Sequence, residues 1–270
     1  TSMPQARCAI ENIEKRLCAA FPGYDFYRAF TSRMVARKIE REEGVHIPAP
    51  EELMEQLAAA GYEEVRCQSL HVIFGQEYEK LLTQLRPYCG RFARLLIGRP
   101  LLWDTEDYLR LTRALLAEMP RLASDEAYVF MGHGTEHPAN AAYALVENCF
   151  RYHRAERVYV GTVEGFPHLD YVLARLDAHE VTHVHLAPLM IVAGDHAHND
   201  LAPRKHYKTK NRRTQRVLSS PAVFFSVRTA AAHRKTEKVL FPPLFSGKAR
   251  KSFGIYWENK GGRTKMDKQK

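Results

Sequence analysis

The chain has 270 residues, 45% of them hydrophobic and 26% charged, with a formal net charge of +9. That is ordinary globular usage, which excludes a wholly disordered, collagen-like or coiled-coil protein; no run of 18 apolar residues occurs, so no membrane-spanning helix is expected. The charge is uneven: residues 1–202 carry 21 Lys and Arg against 28 Asp and Glu, while residues 203–270 carry 19 against 3, so the basic character belongs to the last quarter.

In chain order, Ile10, Ile13, Leu17 and Ala20 recur at helical spacing and predict a helix ending before Pro22-Gly23. Tyr24 to Phe30 reads as a strand, and Ser32 to Glu43 as a helix closed by Gly44. Pro48-Ala49-Pro50 opens a third helix, with Glu51 and Glu52 in its first turn where the helix dipole favours carboxylates. Val65 to Phe74 reads as a strand, Glu77 to Tyr88 as a helix and Ala93 to Gly98 as a short apolar strand. The alternation continues with helices over 106–119, 138–153 and 167–179 and strands over 127–131, 158–161 and 181–186. Strands separated by helical patterns of 10–15 residues mean βαβ units and a mostly parallel sheet, an α/β class. A boundary between two halves is expected near residues 99–105.

After Pro203 the rhythm stops. Residues 204–216 form a basic run with one aromatic, Tyr207. The shift in charge suggests an arm for an anionic surface, or a segment foreign to what precedes it, such as a frame-shifted or spliced reading after about residue 202. Few aromatics interleave with the basic residues and no nucleic-acid module is recognisable, so nucleic acid is not expected as a partner. Five cysteines at wide spacing without a Cys-x-x-Cys pair read as free thiols rather than a disulfide or zinc framework.

Three strand ends carry unusual residues: Gly132-His133-Gly134-Thr135-Glu136-His137, Gly161-Thr162-Val163-Glu164-Gly165, and Ala193-Gly194-Asp195-His196-Ala197-His198-Asn199-Asp200. Open α/β sheets bind ligands beyond the carboxyl ends of their strands. The separations, 31 residues from His133 to Glu164 and 32 from Glu164 to His196, each fit one βα unit. If the three strands are neighbours, the three side chains converge. Two imidazoles and a carboxylate suit a borderline divalent ion such as cobalt, iron, nickel or zinc, and three protein ligands leave coordination positions open for chemistry. Taken singly, each His reads more simply as a helix cap or a crevice residue. Nine of the thirteen His fall between His133 and His198; His183 and His185 share one face of a strand and read as surface or half-buried strand residues. His71, near the end of its strand, reads either as a core-edge residue or as a substrate contact. No dinucleotide fingerprint, phosphate loop or nucleophile elbow is present.

With those residues in place, Gly132-His133-Gly134-Thr135-Glu136-His137-Pro138-Ala139-Asn140, Val160 to Pro167 and Pro188 to Asp200 resemble the anaerobic sirohydrochlorin cobaltochelatases of the CbiK type, as do Tyr24 to Met34 and Gln68 to Tyr78. The resemblance runs from residue 1 to about residue 202. It implies a class II chelatase fold, two similar lobes each with a mostly parallel sheet flanked by helices and a cleft between them. The implied lobes are residues 1–102 and 103–202, followed by an irregular basic tail over 203–270. The family begins with a strand ending in Ser-Phe-Gly-Thr-Ser, of which this chain starts at Thr1-Ser2, so the first strand of the N-terminal lobe is expected to be absent.

The reaction the resemblance implies is insertion of Co²⁺ into sirohydrochlorin during anaerobic cobalamin synthesis, without a nucleotide. Fe²⁺ (the sirohaem branch) or Ni²⁺ stand as alternative metals, and an impaired tetrapyrrole- or metal-binding fragment as an alternative to an enzyme. The carried-over ligands are His133, Glu164 and His196, which are also the catalytic set, with His133 accepting a pyrrole proton as well as holding the metal. Sirohydrochlorin carries many carboxylates, so basic groups at the rim would attract it; Arg28 and Arg33, together with His71, are the substrate-binding candidates. A homo-oligomer in the cytoplasm is expected, with no membrane association and the periplasm as second compartment.

Overall fold

Strands in a parallel sheet covered on both faces need near-continuous apolar sequence, and Ala127-Tyr128-Val129-Phe130-Met131 supplies it. A computed structural model describes residues 4–191 and two strands at 217–219 and 255–258. The elements are α1 (Pro4–Ala20), α2 (Arg33–Glu43), α3 (Pro50–Ala59), β1 (Glu64–Cys67), α4 (Gln76–Leu85), β2 (Arg94–Ile97), α5 (Thr105–Glu118), β3 (Glu126–Gly134), α6 (Ala141–Tyr152), β4 (Val158–Glu164), α7 (Leu169–Ala178), β5 (His183–Pro188), β6 (Val217–Ser219) and β7 (Ile255–Glu258), with 3₁₀ turns at Arg86–Tyr88 and Pro138–Asn140. No helix among the described residues is long and apolar enough to cross a membrane.

Two compact units form. In one, which holds residues 15–101 and β7, β1 and β2 pair in parallel from Glu64–Arg94 to Cys67–Ile97, and β7 joins β2 antiparallel. Leu53 and Leu57 of α3, Leu81 and Leu85 of α4, and Leu95 and Ile97 of β2 close its core. Ser32 caps α2, its Oγ accepting the Val35 amide at 3.4 Å, and Gly44 ends the helix at φ 67°, a conformation that glycine adopts without cost. Two elements differ from expectation here. Residues 24–30 form no strand: Tyr24, Phe26 and Tyr27 are exposed, and the Tyr24 and Tyr27 hydroxyls meet Glu64 and Tyr62 at 3.0 and 2.8 Å. The aromatic alternation is satisfied by side-chain contacts, with no ladder. The strand expected over 65–74 stops at Cys67, because the Gln68 amide bonds the carbonyls of Ser69 and Arg99 and the chain turns.

In the other unit, residues 102–191 with residues 4–14 and β6, four parallel strands run in the order β4-β3-β5-β6. One face packs Ala127, Val129 and Met131 on Val172 and Leu176 of α7. On the other, Phe130 stacks on Phe150 of α6 at 5.4 Å, both rings fully buried. A reciprocal capping box starts α5: the Asp104 carboxylate accepts the Asp107 amide and Asp107 accepts the Asp104 amide. Both units are mixed α/β with parallel strand pairing and flanking helices, as the alternating pattern requires. In the stretch from residue 203 onward, β6 and β7 are the described elements.

One buried charge holds α6, α7 and β4 together. Glu147 is 5% exposed; its carboxylate accepts hydrogen bonds from Arg151, from both terminal nitrogens of Arg175 at 3.1 and 2.7 Å, and from the Val160 amide at 2.9 Å. Truncating one partner of such a network strands the others, at about 3–5 kcal/mol. Glu147→Ala is therefore expected to shift the denaturant midpoint by that amount, and Glu147→Gln, which keeps an acceptor for Val160, by less.

Candidate metal centre

The arrangement β4-β3-β5 makes the three motif-bearing strands neighbours, with β3 central. Their register sets Gly132 opposite Thr162 and Gly134 opposite Glu164. His133 and Glu164 thus emerge from adjacent strand ends, His133 Nδ1 lying 3.9 Å from Glu164 Oε2 with the side chains 46% and 57% exposed. His133 Nδ1 also lies 3.1 Å from the Gly134 carbonyl. A carbonyl only accepts, so in this contact the ring proton sits on Nδ1, which makes Nε2 the lone-pair nitrogen of the ring. On the far side of β3, the Leu189 amide bonds the Met131 carbonyl at 2.7 Å, so the chain leaves β5 alongside the strand that carries His133. His196 lies outside the described residues, five beyond Ile191. Among the described residues no group of three His, Cys, Asp or Glu side chains could hold a metal ion.

The support around this pair is more extensive than the sequence reading anticipated. Asn140 ties the two motif loops together: its Oδ1 accepts the Thr135 amide at 3.0 Å, and its Nδ2 donates to the Phe166 carbonyl. Thr162 is buried and its hydroxyl donates to the Pro167 carbonyl at 3.1 Å. Tyr143 packs against Gly132 so closely that an added Cβ would meet its ring at 2.0 Å, and its hydroxyl accepts the Gly134 amide at 3.4 Å. Burial raises the Tyr143 phenol above its ordinary range, so it remains a neutral hydroxyl. Asn140 belongs to the Pro138-Ala139-Asn140 end of the motif; a short polar side chain just before an apolar helix was the available signal for it.

Two further histidines near the pair act as caps. His137 Nδ1 accepts the Ala139 amide and His168 Nδ1 accepts the Tyr171 amide, each at 3.1 Å. Both are therefore held by the backbone, the simpler role open to an isolated histidine. His183 and His185 sit at the other end of the sheet, 3.4 Å from Asp125 and Glu126 respectively, with the His185 ring stacked on Tyr128.

The substrate-binding candidates all lie in the first unit. Arg28 is exposed in the segment before α2. Arg33, the first residue of α2, is 70% exposed and 3.5 Å from Glu51, a surface pair of small energetic weight. His71 is in the loop after β1. The Ser69 hydroxyl accepts its backbone amide and donates to its Nδ1 at 2.7 Å. Burial lowers its pKa from the ordinary 6.5, despite the opposing charge of Glu77. The folded state therefore binds the proton less readily than the unfolded chain, and stability falls as pH drops below 6.5 toward the folded-state value. His71→Gln is expected to flatten that part of the melting temperature against pH curve.

The family model described as cobalt chelatase (CbiK) matches residues 1–219. A protein named sirohydrochlorin cobaltochelatase from Salmonella typhimurium is 45% identical over 189 residues, 70% of this chain and 71% of the relative. The sirohydrochlorin cobaltochelatase CbiKC of Nitratidesulfovibrio vulgaris is 34% identical over 202 residues, 73% of this chain and 71% of the relative. A solved structure, SirB from Bacillus subtilis with Fe3+, superposes with a TM-score of 0.48 at 15% identity over 70% of this chain and 72% of its own. The family match covers most of the chain, including both described strand-end motifs, and the chain belongs to the cobalt chelatase (CbiK) family.

Proposed function

We propose that this protein is a sirohydrochlorin cobaltochelatase, inserting Co²⁺ into sirohydrochlorin in cobalamin synthesis, with His133, Glu164 and His196 holding the incoming ion. The observation that carries the metal assignment is the His133–Glu164 pair, 3.9 Å apart at adjacent parallel strand ends. Imidazole and carboxylate are both good ligands for Co²⁺, and exposure of about half of each side chain leaves the metal's outer positions open to ring nitrogens. Metallation must also remove two pyrrole protons. Once Nε2 gives up the metal to the ring it is a base within reach of them, and the Glu164 carboxylate is a second acceptor beside it. The family membership and the names of the relatives support cobalt as the metal and sirohydrochlorin as the ring.

The test is metallation of sirohydrochlorin by the full chain, followed by absorbance, with Co²⁺ and with Fe²⁺. Formation of the cobalt complex above the uncatalysed rate is the expected result. A folded protein that leaves the uncatalysed rate unchanged with Co²⁺ would overturn the reading.

A further inference from the structure

The loop that leaves β4 carries a half-exposed aromatic side chain beside the proposed ligand. Phe166 is 55% exposed and lies two residues beyond Glu164, the last residue of β4, a reach of about 7 Å at most along the chain. Scattered exposed apolar side chains are ordinary on a protein surface. Phe166 differs in two respects. A second exposed ring, Tyr171, packs against it with the ring centres 4.9 Å apart, and the backbone on either side of it is tied down.

The Phe166 carbonyl accepts from Asn140 Nδ2. The next carbonyl, that of Pro167, accepts both the Thr162 amide at 2.7 Å and the Thr162 hydroxyl at 3.1 Å. Gly165 sits at φ 82°, and a Cβ there would come within 2.9 Å of the Thr135 carbonyl oxygen, so this loop lies directly on the one that follows His133. Tyr171 is held as well: its amide donates to His168 Nδ1 at 3.1 Å, and the Arg175 guanidinium lies over its ring, 5.5 Å from the centre. Both rings thus stand with the His133–Glu164 pair at the carboxyl end of the sheet, the end at which open α/β sheets bind ligands. Exposed aromatic rings fixed in this way form a stacking surface whose ordering cost has been met by folding.

We propose that Phe166, supported by Tyr171, is a positioning residue for the tetrapyrrole, its ring lying against the conjugated face of the macrocycle while the pyrrole nitrogens meet the ion at His133 and Glu164. This rests on the sirohydrochlorin reading above and adds what holds the macrocycle beside the metal. A metal pair with an apolar aromatic surface one loop away suits a substrate that binds metal at its centre and is conjugated around it. The stacking is the same before and after metal transfer, so it contributes to holding the macrocycle and leaves the chemical step alone.

Titration of the full chain with metal-free sirohydrochlorin, followed by absorbance, and steady-state cobalt insertion test the proposal. Phe166→Ala is expected to weaken sirohydrochlorin binding and to raise its KM about tenfold, with kcat at saturating sirohydrochlorin and the melting curve both unchanged. Phe166→Tyr keeps the aromatic face and is expected to bind within about twofold of wild type. Tyr152→Ala removes an aromatic side chain that is 71% exposed at the last residue of α6 and is expected to bind as wild type. Binding undiminished in Phe166→Ala, or equally weak in Phe166→Ala and Phe166→Tyr, overturns the proposal and leaves the chelatase reading intact. Neither binding nor metallation of sirohydrochlorin by the wild-type chain overturns that reading, and the proposal with it.

Discussion

Replacing His133 by alanine is expected to lower the rate of cobalt insertion roughly a hundred- to ten-thousand-fold, the range for a residue that moves protons in a rate-limiting step. The ring is 46% exposed, so its removal opens no buried cavity, and stability should stay within about 0.5 kcal/mol of wild type. Loss of activity with an unchanged melting curve is the signature. His183→Ala is the control: another partly exposed histidine beside a carboxylate, 3.4 Å from Asp125 at the opposite end of the sheet, and expected to leave the rate unaltered. A His133→Ala enzyme within a few fold of wild type would remove this residue from the reaction. Metallation assays at saturating Co²⁺ should show the defect in kcat as well as in kcat/KM, because the proposed role is in transfer and deprotonation as well as capture.

A large loss of stability is expected of Gly134→Ala. Gly134 sits at φ 80°, and a Cβ built there would lie 1.5 Å from the Glu164 carbonyl oxygen. The left-handed conformation alone costs a non-glycine residue about 1–2 kcal/mol. The clash is with backbone in the neighbouring strand, which cannot rotate away, and overpacking of this kind adds roughly 1–3 kcal/mol. A total of about 2–5 kcal/mol is expected by chemical denaturation. Activity should fall as well, since relief of the clash must spread β3 from β4 where they carry His133 and Glu164. Gly132→Ala makes an informative companion. Its added methyl would strike the Tyr143 side chain, which can yield in part, so a smaller loss is expected.

The βα rhythm was legible because each strand is a short apolar run and each helix carries its apolar residues on one face. Ala127 to Met131 and Val158 to Gly161 are read correctly without tertiary information, since strands buried on both faces must be apolar throughout. The pairing of His133 with Glu164 followed from the same fact. A spacing of 31 residues is one strand-to-strand crossover, and adjacent parallel strands place their ends together. Where the reading failed, side chains had replaced backbone pairing. Tyr24 to Phe30 alternates like a strand, yet its aromatics end on Glu64 and Tyr62. Gln68 ends β1 early by bonding two carbonyls with its amide. Glu147 could not be found from pattern: a charged residue within a helix is normally solvated, and only the packing of α6 against α7 and β4 buries that carboxylate.

The distance between His133 and Glu164 along the chain has a consequence for when the protein can bind metal at all. Thirty-one residues apart, the two groups are brought to 3.9 Å by the non-local pairing of β3 with β4. Non-local contacts of this type form late in folding, after loop-closure entropy has been met. An unfolded or half-synthesised chain thus offers cobalt a lone imidazole and a lone carboxylate, with no chelate effect. With the ligand set proposed above, the ion would bind the native state selectively and by mass action would stabilise it, by about 2.7 kcal/mol at a hundredfold excess over Kd. On that proposal, nascent copies would not compete with finished ones for a scarce metal.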